Sequence, residues 1–161
     1  MRTAAALLAL AVLSGCGLHP LYAGGANGAV AQGLASVEIA PIEGKDGWLM
    51  RNALQDKLGR GEGPARYRLD VRLDDKLEGL GLLTDDTIGR ERRTLRARYQ
   101  LVDNSTGEIV LDATDGSDAG IDVVSSEYAT IAAEQTALEN LTRDVADRIV
   151  TRLALKLRGG S

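Results

Sequence analysis

Apolar positions recur along this chain in two periods. Ala35 to Ile42 alternates, with Val37 and Ile39 on one side and Glu38 and Ala40 on the other. That predicts a short strand, ended by Pro41. From Trp48 to Leu58 the period changes: Leu49, Met50, Ala53, Leu54 and Leu58 recur at spacings that share one helix face. Gly59, Gly61, Gly63 and Pro64 stop this helix. Arg66 to Leu77 returns to alternation, with Tyr67, Leu69, Val71 and Leu73 facing one way and Arg66, Arg68, Asp70, Arg72 and Asp74 the other. Thr94 to Val102 repeats the pattern, with Leu95, Ala97, Tyr99 and Leu101 on one face and Thr94, Arg96, Arg98 and Gln100 on the other. A turn at Asp103–Gly107 leads to a strand from Glu108 to Ala113, with Ile109 and Leu111 as its inward pair. Ser125 and Ser126 are N-cap candidates for a helix running to about Leu157. Ile131, Leu138, Leu141, Val145, Ile149, Leu153 and Leu157 form its apolar stripe.

The predicted order is β-α-β-β-β-α. The fold class is α+β, with two amphipathic helices packed on one face of a small, mainly antiparallel sheet. The domain spans 35–158 and a tail spans 159–161. Glu78 to Gly89 is either a protruding hairpin end or a loop. Its Leu80, Leu82, Leu83 and Ile88 are too apolar for plain solvent, which suits contact with a partner or lipid.

The first residues do not belong to that pattern. Arg2 precedes an apolar run, Ala4 to Leu13, which is too short to cross a membrane. Leu13-Ser14-Gly15-Cys16 then resembles a bacterial lipobox, so residues 1–15 read as a lipoprotein signal peptide and Cys16 as the lipidation site. Residues 16–34, rich in Gly and Ala, read as a lipidated flexible tether. The chain is then exported and held to a membrane by acyl groups, each buried CH₂ adding about 0.8 kcal/mol of membrane affinity.

Composition narrows the chemistry. The 161 residues include one Cys and one His, which exclude an internal disulfide and a Cys/His zinc cage within one chain. With no Phe and 3% aromatic residues, a core must come from Leu, Val, Ile and Ala. A net charge of −4 argues against nucleic acid as a partner. No nucleophile–base motif or phosphate loop is present, so no catalytic residues, metal ligands or cofactor are assigned. His19 lies in the tether, and the acidic pairs Asp74-Asp75 and Asp85-Asp86 lack the spaced ligands of a Ca²⁺ loop.

The informative cluster is basic: Arg90, Arg92, Arg93, Arg96 and Arg98, with Glu91 between them. If the neighbouring strands pair, Arg66, Arg68 and Arg72 extend this patch. One reading is a solvated face on which Asp70 and Asp74 act as cross-strand partners. The other is a binding site centred on Arg90, Arg92 and Arg93 at a strand start beside the apolar hairpin end, with arginine for phosphate and leucine for acyl chains.

Cys16-Gly17-Leu18-His19-Pro20-Leu21-Tyr22 resembles the start of the LPS-assembly lipoprotein family LptE, in its alphaproteobacterial form. The resemblance continues through Arg92 to Leu101, the turn at Thr106-Gly107-Glu108, and Ser126-Glu127-Tyr128-Ala129 with the helix beyond. It implies a non-enzymatic lipoprotein on the periplasmic side of the cell outer membrane. The implied partner is an LptD-like outer-membrane β-barrel, which the protein plugs and assists in lipopolysaccharide transport. The implied ligand is lipopolysaccharide or a similar anionic glycolipid, with Arg92 matching a basic residue of the family. The chain departs from enteric members in having no Lys or Arg from Leu111 to Thr142. An auxiliary lipoprotein of a lipid-transport ABC system, and an envelope enzyme, are the alternative readings.

Overall fold

A computed structural model describes residues 28–59, 61, 63–82 and 88–159. The elements are α1 (Ala29–Ala35), β1 (Val37–Ile39), α2 (Gly44–Leu58), β2 (Tyr67–Leu82), β3 (Ile88–Asp103), β4 (Ile109–Asp122) and α3 (Glu127–Gly159). The expected β-α-β-β-β-α order follows one additional short helix, α1. The strands lie in the order β1-β2-β3-β4. β1 runs parallel to β2, and β2, β3 and β4 form an antiparallel meander.

The two long helices cover one face of the sheet. Tyr67, Leu69 and Val71 of β2 and Leu95, Ala97, Tyr99 and Leu101 of β3 meet Met50, Leu54 and Leu58 of α2 and the α3 stripe. In that stripe Leu138, Leu141, Val145, Ile149 and Leu153 are buried, whereas Ile131 is 54% exposed. Thr142 is buried inside it, and its hydroxyl donates to the Leu138 carbonyl at 2.7 Å, so that hydroxyl is satisfied. Gly47 lets the first turn of α2 sit on the preceding loop: a Cβ there would lie 2.7 Å from the Ile42 carbonyl oxygen. Gly59 ends α2 at φ +76°, a conformation that favours glycine.

Four boundaries differ from expectation. The stretch read as tether is helical from Ala29, and Leu34 of α1 is 2% exposed, so the packed domain begins before residue 35. α2 starts at Gly44 rather than Trp48. The β2–β3 ladder runs in register as far as Leu82↔Ile88, which resolves the ambiguous connection as a long hairpin. Its end, including Leu83 and Asp85-Asp86, lies outside the described residues. β4 continues through Asp115-Gly116-Ser117-Asp118 to Asp122, because pairing with β3 outweighs the weak strand preference of these residues. Ile109 does not point inward. Leu101 pairs with Leu111 but Val102 pairs with Ile109, so one extra residue, Val110, bulges and shifts the alternation. Ile109 is accordingly 49% exposed.

Candidate functional site

The outward face of the sheet is organised by charge in columns. β3 contributes Arg90, Arg92, Arg96 and Arg98, and β4 contributes Asp112, Asp118 and Asp122 beside them. Arg90 Nε lies 3.1 Å from Asp122, Arg92 Nε 3.9 Å from Asp118, and Arg98 Nη2 3.0 Å from Asp112. Gln100 Nε2 also donates to Asp112 at 2.8 Å. Bonds from Arg98 first and Gln100 second hold the Asp112 carboxyl below its usual range. On the other side, β2 alternates Arg68, Asp70, Arg72, Asp74, Lys76 and Glu78, with Arg68 on Asp70 at 3.0 Å and Lys76 on Asp74 at 3.5 Å. Among the described residues, Arg72 and Arg96 make no ion pair. Arg72 stands directly opposite Arg98 in the ladder.

The arginines are therefore flanked by carboxylates rather than forming a bare cationic patch. The stretch without Lys or Arg after Leu111 supplies those carboxylates. Arg90 and Arg92 make single exposed contacts, Arg98 reaches Asp112 with two nitrogens, and exposed pairs contribute about 0–1 kcal/mol. An oligoanion that offers bidentate acceptors can exchange with them at little cost.

The structure separates the three arginines that sequence proximity grouped together. Arg90 and Arg92 point outward, and Arg93 points toward the helices, as strand alternation requires. The Arg93 guanidinium takes Asp75 with two nitrogens, Nε at 2.9 Å, and donates from Nη1 to the Glu134 carbonyl at 2.9 Å. Both side chains are mostly covered, at 16% and 19% exposure. Arg93 thus fastens the hairpin to α3 and is no neighbour of an outward ligand. Asp74 and Asp75 likewise face opposite ways.

A second inward tie escaped sequence reading. Tyr99 Oη donates to Asp115 at 2.6 Å, Arg152 Nη2 donates to the same carboxylate at 3.0 Å, and Arg148 Nη1 donates to the Gly116 carbonyl at 3.0 Å. Burial, then the bond to Asp115, pushes the Tyr99 hydroxyl up from its ordinary range. The available signal was an aspartate at inward parity in a glycine-rich strand.

Two depressions flank the arginine column. A groove of about 750 Å³ runs beyond the end of β1, lined by Ala40–Glu43, Asp46, Asp70–Leu73, Arg98 and Gln100. A shallower one of about 310 Å³ lies around Arg96 and Gly116. A Cβ at position 116 would meet Arg96 Cγ at 3.0 Å, so glycine is what lets the arginine stem cross β4. Among the described residues no group of three or more His, Cys, Asp or Glu side chains is placed to hold a metal ion. No described helix is long and apolar enough to cross a membrane. Cys16 and His19 lie outside the described residues.

The family model of lipopolysaccharide-assembly protein LptE matches residues 34–153. The chain belongs to the LptE family. A lipoprotein from Caulobacter crescentus is similar to this LptE-family chain at 28% identity, with a TM-score of 0.68 over 83% of this chain and 98% of that one. The rare lipoprotein B of Shewanella oneidensis matches at 12% identity and a TM-score of 0.56, over 76% and 96% of the two chains. Lipoprotein B of Nitrosomonas europaea matches at 12% identity and 0.58, over 78% and 90%. At that identity the last two share the LptE-like fold and carry nothing further. No curated protein sequence matches the chain.

Proposed function

We propose that this LptE-family chain is a non-catalytic subunit of an outer-membrane lipopolysaccharide translocon, seated as a plug in an LptD-like β-barrel. The observation that carries this reading is the family match over residues 34–153. The signal-like segment ending at Cys16 supports a lipoprotein anchored at the periplasmic side of the outer membrane. Arg90 and Arg92 are the ligand contacts in this reading. They are outward, exposed and held only by exchangeable aspartates. Their role is to meet the phosphates of lipopolysaccharide or a similar anionic glycolipid.

Pull-down of the full chain with Cys16 intact tests the partnership. Recovery of a large β-barrel is the expected result. Repeated recovery of inner-membrane ABC-transporter subunits alone would reject it in favour of an auxiliary lipoprotein of lipid transport. Cys16→Ser tests the anchor: the membrane-bound pool should fall on fractionation, and an unchanged pool removes lipidation from the reading. Arg90→Asp with Arg92→Asp should weaken retention on lipopolysaccharide vesicles at physiological salt, while the circular dichroism spectrum stays unchanged. Equal retention would leave the column as solvated surface.

A further inference from the structure

Among the described residues, the β2 strand is covered on its outer edge only at its start. β1 pairs with Tyr67, Arg68 and Leu69, and the last contact is Ala40 N–H donating to the Leu69 carbonyl at 3.0 Å. Pro41 then turns the chain away, and the 750 Å³ groove opens beside Val71 and Leu73. Backbone groups of alternate strand residues point to the same edge. Since Leu69 serves β1, the N–H and C=O groups of Val71, Leu73, Asp75, Leu77 and Gly79 face that open edge. Neither a proline nor a bulge interrupts β2 there. Such an edge is a template for another strand.

The outward side chains along this edge say which strand fits. Arg72, Asp74, Lys76 and Glu78 alternate in sign and are all exposed. Turned about a two-fold axis through Asp75, the same sequence sets Arg72 against Glu78 and Asp74 against Lys76, each pair occurring twice. Moving the axis to Asp74 would place Arg72 against Lys76 and Asp74 against itself. The pattern is thus self-complementary in one parity and self-repelling in the other. On the inward side, the Asp75 axis sets Leu73 against Leu77, which is 43% exposed in the single chain. The two Asp75 carboxylates that meet at the axis are each already held by their own Arg93. The opposite sheet edge lacks this property, because the outward column of β4 carries the acids Asp112, Asp118 and Asp122 and no base. We infer that the free edge of β2, Val71 to Gly79, pairs antiparallel with the same edge of a second copy of this chain, joining two four-stranded sheets into one.

An interface of one strand per partner falls in the weak class, below about 1,200 Å². The dimer fraction should therefore rise with concentration over roughly 1–500 µM. The experiment is sedimentation of the full-length chain, purified in detergent. Wild type should shift from monomer to dimer over that range. Lys76→Glu sets like charges against Asp74 of the partner and should return the chain to monomer. The exchange Asp74→Lys with Lys76→Glu keeps the pattern self-complementary and should restore the dimer. The exchanged chain should not pair with differently tagged wild type, since lysine then faces lysine. All these positions are exposed, and circular dichroism should show each variant folded. A chain that stays monomeric throughout, or a dimer unmoved by Lys76→Glu, overturns the inference. The latter outcome would assign association to the detergent-held anchor or to another surface.

Discussion

Two adjacent arginines should respond to removal in opposite ways. Arg93→Ala deletes three donor contacts from a largely covered site and leaves the Asp75 carboxylate, 19% exposed, without its cation. Removing one partner of a fully buried pair costs about 3–5 kcal/mol. The remaining exposure of both side chains lowers the expectation to about 2–3 kcal/mol. Arg92→Ala removes one exposed contact at 3.9 Å and should cost no more than about 1 kcal/mol. Urea unfolding of each variant, followed by far-ultraviolet circular dichroism, reads the difference directly from the midpoint at constant slope. The double substitution Arg93→Met with Asp75→Leu supplies the internal check. It removes both charges together, so its stability should return to within about 1 kcal/mol of wild type. On lipopolysaccharide vesicles the ranking should reverse: Arg92→Ala weakens retention, and the refolded Arg93→Met/Asp75→Leu chain binds as wild type does. An Arg93→Ala chain as stable as Arg92→Ala would refute the assignment of Arg93 to the framework.

Other parts of the fold give shorter tests. Tyr99→Phe removes a hydroxyl whose folded-state pKa is raised, a contribution present below the unfolded value of about 10 and lost as pH rises through the folded one. The variant should lose about 1 kcal/mol at neutral pH, and its alkaline unfolding curve should be flatter than wild type. Asp112→Asn acts at the other end. Its folded pKa is lowered, so its contribution is full above about pH 4 and disappears as pH falls through the folded value; the variant should show a shallower acid limb in the same titration. Gly47→Ala drives a methyl toward the Ile42 carbonyl oxygen, and a thermal melt should show a loss of about 1–3 kcal/mol. Leu34→Ala should cost about 2–3 kcal/mol by urea unfolding; a null effect would return α1 to the tether.

What the sequence conveyed, and what it withheld, follows from the range of each physical signal. Side-chain alternation is local, so Tyr67–Leu73 and Leu95–Leu101 announced both their strands and their buried faces without any knowledge of partners. Strand length is different, because a ladder can extend through residues with no intrinsic preference for it. The glycine, aspartate and serine of β4 are strand only because β3 lies alongside. The α1 segment shows the same dependence: AVAQGLA has little periodicity of its own, and its helix is held by Leu34 against the core. The arginine site shows where contiguity misleads. Five arginines within nine positions look like one feature to a sequence reader, but the two-residue period of a strand divides them between two environments. Three of the outward members, Arg90, Arg92 and Arg98, meet aspartates some 14 to 32 residues away in the chain, and the inward one meets Asp75 and the Glu134 carbonyl. Charge on one strand therefore does not define a site until its neighbours are known. Here the neighbouring strand turns an apparent cationic patch into exchangeable pairs. An anion arriving at Arg90 or Arg92 must displace Asp122 or Asp118, so removing those aspartates should strengthen lipopolysaccharide retention, while removing the arginines weakens it.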